Sequence, residues 1–260
     1  MKRLFWTIVL LTGAAMAPSG IAVAQQVPQA GGAQGGGTAA TQTPGPSAAA
    51  RDCATEPDPD RQIAACGQVL AAHAKPEPRL SWVLISRGNA FFRKGQIDRA
   101  ILDYDAAIKL NPKDASAYNN RGMAHFVETK FDLAVQDFTS ALAIDPKNPG
   151  TYNNRGFAYH QRGQFDQAIA DYTNAVKLDP KYVDAYNDRG LAYYATKKYD
   201  RALADFNTAV SLAPKSADAI YLRSVAYRKQ GNKASADKDL ATARQLNPKI
   251  EAEMTKRGIK

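Results

Sequence analysis

The chain has 260 residues, a formal net charge of +9 at pH 7 and only two cysteines. This length allows one or two domains. The spacing of the cysteines suits neither a zinc site nor a CxxC redox pair. The positive charge predicts attraction to acidic partners or to anionic cell-envelope polymers, or it contributes only to solubility.

Residues 1–24 have the pattern of a secretory signal peptide. Lys2 and Arg3 precede an apolar run over 4–17, and a small-x-small cleavage site ends at Ala24. Cleavage there removes Lys2 and Arg3, which lowers the formal charge from +9 to +7. The apolar run is too short for a comfortable membrane span, so an uncleaved anchor is the weaker alternative. We therefore expect an exported protein, periplasmic or secreted, with no integral membrane span after cleavage.

Residues 25–50 carry no charged side chain and are predicted to be a disordered Gly/Gln/Pro/Ala linker. In an exported chain, an even cysteine count indicates a disulfide between Cys53 and Cys66. Such a bridge contributes about 3 kcal/mol in the chain-entropy model. The pattern over 61–74 is helical, and it follows the register of the repeats below. Residues 51–80 are therefore predicted to be a half-repeat that caps the N-terminal end of a stack.

From residue 81 to residue 250 the same residue types recur every 34 residues. The frames are 81–114, 115–148, 149–182, 183–216 and 217–250. Glycine, then serine in the last frame, occupies one fixed position in each: Gly88, Gly122, Gly156, Gly190 and Ser224. Within each frame the apolar residues have helical periodicity that is interrupted twice, which predicts an antiparallel helix pair. A period of this length is typical of a solenoid, in which a repeat buries its apolar face only against its neighbours.

The order of aromatic, glycine, aromatic, alanine, aromatic, alanine and proline within a frame resembles the tetratricopeptide repeat. The third frame matches it with Tyr152, Gly156, Tyr159, Ala168, Tyr172, Ala175 and Pro180. The resemblance covers residues 81–250 and implies an all-α fold, a right-handed α-solenoid of helix-turn-helix repeats. It also implies a concave groove, lined by the first helices, that holds an extended peptide or a partner helix. Residues 251–260 are expected to be a short closing segment.

Polar side chains recur at one turn of the first helix in three successive repeats. They are Asn119, Asn120, Asn153, Asn154, Asn187 and Asp188. A carboxamide offers both a donor and an acceptor, so such a row could hold the backbone of an extended chain. It resembles the asparagine ladder of a known tetratricopeptide domain, matched best by Asn120 and Asn154. The alternative is that these side chains keep a helix face wet or bond to the neighbouring repeat.

A second stripe, mostly apolar, lies one or two turns further along the same helices. Its members are Asn89, Met123, Phe126, Phe157, His160, Leu191 and Tyr194. Aromatic and sulfur-containing side chains in a groove would give a peptide apolar anchors. The alternative is that they form the core between repeats. We predict that both stripes together line the peptide-binding groove.

An arginine and an aspartate recur in every repeat with the same spacing. The pairs are Arg87 with Asp103, Arg121 with Asp137, Arg155 with Asp171, Arg189 with Asp205, and Arg223 with Asp239. A charge-assisted bond between the two helices of a repeat, or to the adjacent repeat, explains the recurrence. An arginine row for acidic ligands would not need a matching aspartate, so a structural role is favoured.

The sequence offers little for other functions. A carboxylate clamp for chaperone C-termini would need cations where Ile85 and Gly150 stand. His73, His125 and His160 lack metal-ligand spacing, and no catalytic triad or phosphate-binding loop is present. Positive charge is spread evenly, unlike that of a nucleic-acid-binding surface. We therefore predict no enzymatic activity, no cofactor, no metal and no nucleic-acid partner.

The predicted function is that of an exported bacterial adaptor that holds another polypeptide of the cell envelope in its groove. The alternative is a basic envelope structural protein that associates with peptidoglycan or with anionic polymers.

Overall fold

A computed structural model describes residues 47–73, 75 and 77–259. The predicted signal peptide and most of the predicted linker, 25–46, lie outside the described residues. Within the described part of the chain the regular secondary structure is helical, with no strand, and the predicted all-α solenoid class is confirmed. Contacts divide the chain into two compact units, and we describe them as the N-terminal unit (47–146) and the C-terminal unit (147–259).

The N-terminal unit begins with two short helices that a disulfide joins. Its helices are α1 (Ala48–Thr55), α2 (Pro59–Ala71), a 3₁₀ helix (Pro78–Leu80), α3 (Ser81–Arg93), α4 (Ile97–Leu110), α5 (Ala115–Val127) and α6 (Phe131–Ile144). Cys53 of α1 and Cys66 of α2 form the disulfide, and both are fully buried. Because α1 starts at Ala48, the last three residues of the predicted linker, 48–50, are helical instead.

The C-terminal unit consists of three helix pairs and a final short helix. Its helices are α7 (Pro149–Gln161), α8 (Phe165–Leu178), α9 (Val183–Ala195), α10 (Tyr199–Leu212), α11 (Ala217–Lys229), α12 (Lys233–Leu246) and α13 (Ile250–Lys256). In every repeat of both units, the first helix packs along the second helix of the same repeat.

In the first four repeats a glycine of the first helix faces an aromatic ring of the second helix. A Cβ atom added to Gly156 would lie 2.8 Å from Cε1 of Tyr172, and one added to Gly190 would lie 2.5 Å from Cε1 of Phe206. Both rings are buried. The fifth repeat has Ser224 in the glycine position, and there Leu240 replaces the ring. Glycine and a flat ring therefore occur together because a larger residue would not fit.

The turn between the two helices has left-handed backbone at one position in every repeat. Glycine occupies it in three repeats, and Thr129 (φ 59°) and Lys197 (φ 60°) occupy it in the others. The aspartate that follows this turn, such as Asp166, lies in the first turn of the second helix. It does not cap that helix, since Gln164 is the N-cap residue and provides no side-chain cap bond. The aspartate instead interacts favourably with the positive end of the helix dipole.

Candidate functional site

The row of amides is buried in the structure. Asn119, Asn120, Asn153 and Asn154 are each 1–2% exposed, and Asn187 and Asp188 are each 8% exposed. They lie on α5, α7 and α9 as predicted from the sequence. The interpretation that they keep a helix face wet is therefore wrong, because buried amides must find partners inside the protein.

In the N-terminal unit the amides form a chain of hydrogen bonds between two repeats. Asn119 Nδ2 donates to Asn120 Oδ1 at 3.2 Å, and Asn120 Nδ2 donates to Asn89 Oδ1 at 2.9 Å. The hydroxyl of Tyr104 also donates to Asn89 Oδ1, at 2.8 Å. Asn89 of the first repeat thus receives a bond from each of two helices. This network links α5 to α3 and fixes the register between the repeats.

The third repeat has a tyrosine in the same place without this partner. Tyr172 occupies the position of Tyr104, but Phe157 stands where Asn89 stands in the first repeat. The Tyr172 hydroxyl is buried, and no described residue bonds to it. Burial raises the pKa of Tyr172 well above its usual range, so the hydroxyl stays protonated. It is a donor whose hydrogen-bonding capacity is unused.

Because only Tyr104 has a hydrogen-bond partner, replacing tyrosine with phenylalanine is expected to change the free energy of unfolding in opposite directions at positions 104 and 172. Tyr172→Phe is expected to raise the free energy of unfolding by about 1 kcal/mol, because it removes an unsatisfied buried hydroxyl. Tyr104→Phe is expected to lower it by about 1 kcal/mol, because a satisfied bond is lost. Urea denaturation of both variants measures the two changes. If the two variants shifted stability in the same direction, the hydrogen-bond assignment would be wrong.

In the C-terminal unit the amide row ends in a buried carboxylate. Asn153 Nδ2 on α7 donates to Asp188 Oδ2 on α9 at 3.1 Å. Burial raises the pKa of Asp188 to about 7, against the opposing effect of the Asn153 bond. This net pKa also includes smaller effects of two charges, Asp184, which raises it, and Arg257, which lowers it. Asp188 therefore gains and loses its proton near neutral pH.

Asp188 borders a cavity of about 190 Å³ in the C-terminal unit. The residues that line it are Asp184, Asn187, Asp188, Ser216, Asp218, Leu222 and Arg257. They come from α9, from the start of α11 and from the residue that follows α13. Arg257 Nη1 donates to Asp218 Oδ2 at 2.8 Å. Three segments of the chain thus bring acidic groups, an amide and one cation to a single place.

Sequence reasoning predicted Asn187 and Asp188 in this site but missed the other polar residues. Asp184 and Asp218 are 34 residues apart and occupy the same position of successive repeats, where the third repeat has Gly150. That recurrence was visible in the sequence. The contribution of Arg257 could not be recognised in the sequence, because this residue belongs to the closing segment and has no counterpart in a repeat.

The predicted second stripe is mostly half-buried rather than exposed. Met123 is buried, whereas Asn89, Phe126, Phe157, His160, Leu191 and Tyr194 are of intermediate exposure. In three repeats the aromatic side chain at the end of the first helix contacts the ring that opens the second helix. The ring centroids are 5.2 Å apart for Phe126 and Phe131, 5.1 Å for His160 and Phe165, and 5.4 Å for Tyr194 and Tyr199.

His160 differs from the other members of this stripe. Both of its ring nitrogens are buried, and neither bonds to a described residue. Burial lowers the pKa of His160, so the imidazole is neutral at pH 7. It lies parallel to the ring of Phe157 with centroids 6.4 Å apart, and therefore packs as an aromatic ring.

All five predicted Arg–Asp pairs are present as bidentate hydrogen bonds of 2.6–3.0 Å. Each joins the first helix to the second helix of the same repeat. Arg121, Arg189 and Arg223 also reach the second helix of the preceding repeat. Arg121 contacts Asp105 at 2.5 Å, and Arg189 and Arg223 bond to Thr173 and Asn207 at 3.2 Å. The arginines thus act as structural links within and between repeats.

None of the helices in the described part of the chain is long and apolar enough to cross a membrane. No group of three or more His, Cys, Asp or Glu side chains among the described residues is arranged to hold a metal ion.

Comparison with known proteins agrees with this architecture. A family profile described as TPR repeat matches residues 88–126, 130–163 and 158–197, and a second, described as tetratricopeptide repeat, matches 183–216. Over this region the chain therefore belongs to the tetratricopeptide-repeat family. No curated protein matches the chain.

Several solved structures share the fold. YrrB, described as a TPR protein with an unusual peptide-binding site, is 22% identical, with a TM-score of 0.59 over 76% of this chain and 100% of its own. The MamA protein is 22% identical, with a TM-score of 0.58 over 66% of this chain and 94% of its own. The pilF protein of Pseudomonas aeruginosa is 20% identical, with a TM-score of 0.60 over 64% of this chain and 76% of its own.

Proposed function

We propose that this chain is a non-enzymatic adaptor that is exported and binds another polypeptide of the cell envelope. Its tetratricopeptide repeats and its likeness to YrrB, which is described as having a peptide-binding site, support a role in protein interaction. The signal-like start of the sequence supports export. The observation that carries the proposal is the cavity between α9 and α11, where polar side chains converge and where the buried Oδ1 of Asn187 accepts no bond from a described residue.

The cavity and the aromatic stripe are the proposed contact surface. Asp184, Asn187 and Asp218 supply polar contacts, and the half-buried Leu191 and Tyr194 supply apolar contacts on the same helix as the first two. The amides Asn119, Asn120 and Asn153 already bond to neighbouring side chains. Direct contact between the amide row and a peptide stays a prediction.

The alternative function, association with an anionic envelope polymer, is favoured by the positive formal charge, which is +9 for the full chain and +7 after the predicted cleavage removes Lys2 and Arg3. The effect of salt concentration on binding distinguishes polypeptide binding from polymer association. A complex held by many exposed charges weakens steeply as ionic strength rises, whereas one held by buried polar and apolar contacts is screened much less.

Binding of the purified chain to envelope extracts should therefore be measured from about 50 mM to about 500 mM NaCl, across which the Debye length falls roughly threefold. We expect a retained polypeptide whose binding changes little over this range. Tyr194→Ser should weaken retention, and Leu102→Ser, on the outer surface of α4, should not. Binding only to isolated peptidoglycan, with complete loss at high salt, would instead support the structural alternative.

A further inference from the structure

The cavity between α9 and α11 is lined mainly by acidic and other polar side chains. Three of its lining residues are aspartates, and Arg257 is its one cationic lining residue. The formal charge of the lining is therefore −2 when all three carboxylates are ionised, from −3 and +1. Asn187 adds another acceptor, because its Oδ1 is buried and accepts no bond from a described residue. A cationic group with N–H donors complements this acidic lining.

Arg257 already shows which chemistry the cavity accepts. Its guanidinium reaches Asp218 from the closing segment, 39 residues further along the chain. The pair is only partly shielded, with 38% of the Arg257 side chain and 34% of the Asp218 side chain exposed to solvent. Exposed ion pairs contribute little to stability. The present occupant can therefore be replaced by a better-placed cation at little cost.

We propose that the cavity receives an arginine side chain of the bound polypeptide, and that Arg257 is an internal competitor for the same carboxylates. The proposal rests on the adaptor function proposed above and names the residue that the adaptor selects. A guanidinium has five N–H donors in a fixed planar arrangement and no acceptor, which complements a site made of carboxylates and an amide oxygen.

The geometry favours a guanidinium over a metal ion. A divalent cation needs several oxygen ligands at roughly 2.0–2.6 Å from one point. Asp184, Asp188 and Asp218 do not form such a cluster, since no three His, Cys, Asp or Glu side chains among the described residues are arranged to hold a metal ion. A planar group several ångströms across can contact separate carboxylates that a single ion cannot.

The experiment is an NMR titration of the ¹⁵N-labelled chain with two blocked tripeptides, acetyl-Gly-Arg-Gly-amide and the same peptide with citrulline. Citrulline keeps the size and shape of arginine but has no charge. We expect the arginine peptide to shift the backbone amide signals of Asn187 and Asp218 and to bind about tenfold more tightly than the citrulline peptide. That ratio corresponds to about 1.4 kcal/mol.

The second measurement is the affinity of an Arg257 variant for the arginine peptide. Arg257→Gln is expected to tighten binding of the arginine peptide several-fold. Arg228→Gln, which removes an exposed arginine paired with Asp237, is expected to leave it unchanged. Equal binding of the two peptides, or the absence of any shift at Asn187 and Asp218, would overturn the arginine site. The adaptor function is tested separately through partner retention, so it can stand when this proposal fails.

Discussion

Asp171→Ala is expected to lower the free energy of unfolding by about 2–4 kcal/mol. The Asp171 side chain is 5% exposed and accepts bonds from Nε and Nη2 of Arg155 at 2.7 and 2.8 Å. Removing it takes two acceptors away from a largely buried guanidinium, and breaking a buried pair in this way is strongly destabilising. The estimate is below the range for fully buried pairs because 18% of the Arg155 side chain reaches solvent. Urea denaturation gives the value.

A double-mutant cycle separates the pair energy from the loss of packing. The single variants Arg155→Ala and Asp171→Ala and the double variant should show a coupling of about 1–3 kcal/mol. The exposed pair of Arg228 and Asp237, at 3.1 Å, is the matched control, with an expected coupling below about 0.5 kcal/mol. Absence of coupling between Arg155 and Asp171 would contradict the structural role assigned to all five pairs.

Asp188→Asn is expected to raise the free energy of unfolding at pH 8 by about 2–4 kcal/mol. The pKa of this carboxyl is about 7 in the folded protein, so its ionised form is disfavoured there. Each unit of difference from the unfolded value corresponds to about 1.4 kcal/mol. Asparagine keeps an oxygen that can accept the bond from Asn153. It is also the residue found at this position of the two preceding repeats, Asn120 and Asn154.

Asp188→Asn is also expected to change how the free energy of unfolding depends on pH. The folded carboxyl binds its proton more tightly than the unfolded one, so its contribution favours folding at low pH and is lost as pH rises from about 4 to about 7. The charged or titratable groups that act on it or respond to it are Asp184, Arg257, Tyr172 and Tyr182.

The measured quantity is the free energy of unfolding of wild type minus that of Asp188→Asn, from pH 4 to pH 8. This difference cancels most of the contribution of His160, whose lowered pKa gives a pH dependence of opposite sign. It should become more negative as pH rises. A difference that does not change with pH would show that Asp188 is not buried as the structure describes.

The helix pairs, the glycine–aromatic contacts and the Arg–Asp ion pairs could be predicted from the sequence because they depend on local periodicity. A glycine and an aromatic residue 16 positions apart, such as Gly156 and Tyr172, identify the contact between two helices of one repeat. An arginine and an aspartate with the same separation identify the ion pair beside it. The ion pair recurs in all five repeats and the glycine–aromatic contact in the first four, because the two helices of each repeat pack together in the same way.

The candidate site was only partly predictable because it depends on contacts between distant segments. The burial of Asn153 depends on how closely α9 packs against α7, which the pattern of one helix does not determine. The bond between Arg257 and Asp218 depends on where the closing segment turns back onto α11. Nothing in the repeat pattern specifies that turn, because α13 occurs once.

The adaptor function is tested most directly by site-specific photo-crosslinking in bacterial cells that export the chain. A photoreactive phenylalanine analogue is placed at Tyr194, on the first helix of the fourth repeat, and separately at Leu102, which is 66% exposed on a second helix. We predict that position 194 crosslinks to a distinct polypeptide and that position 102 does not. Equal crosslinking from both positions, or none from position 194, would contradict binding of a partner on the face formed by the first helices.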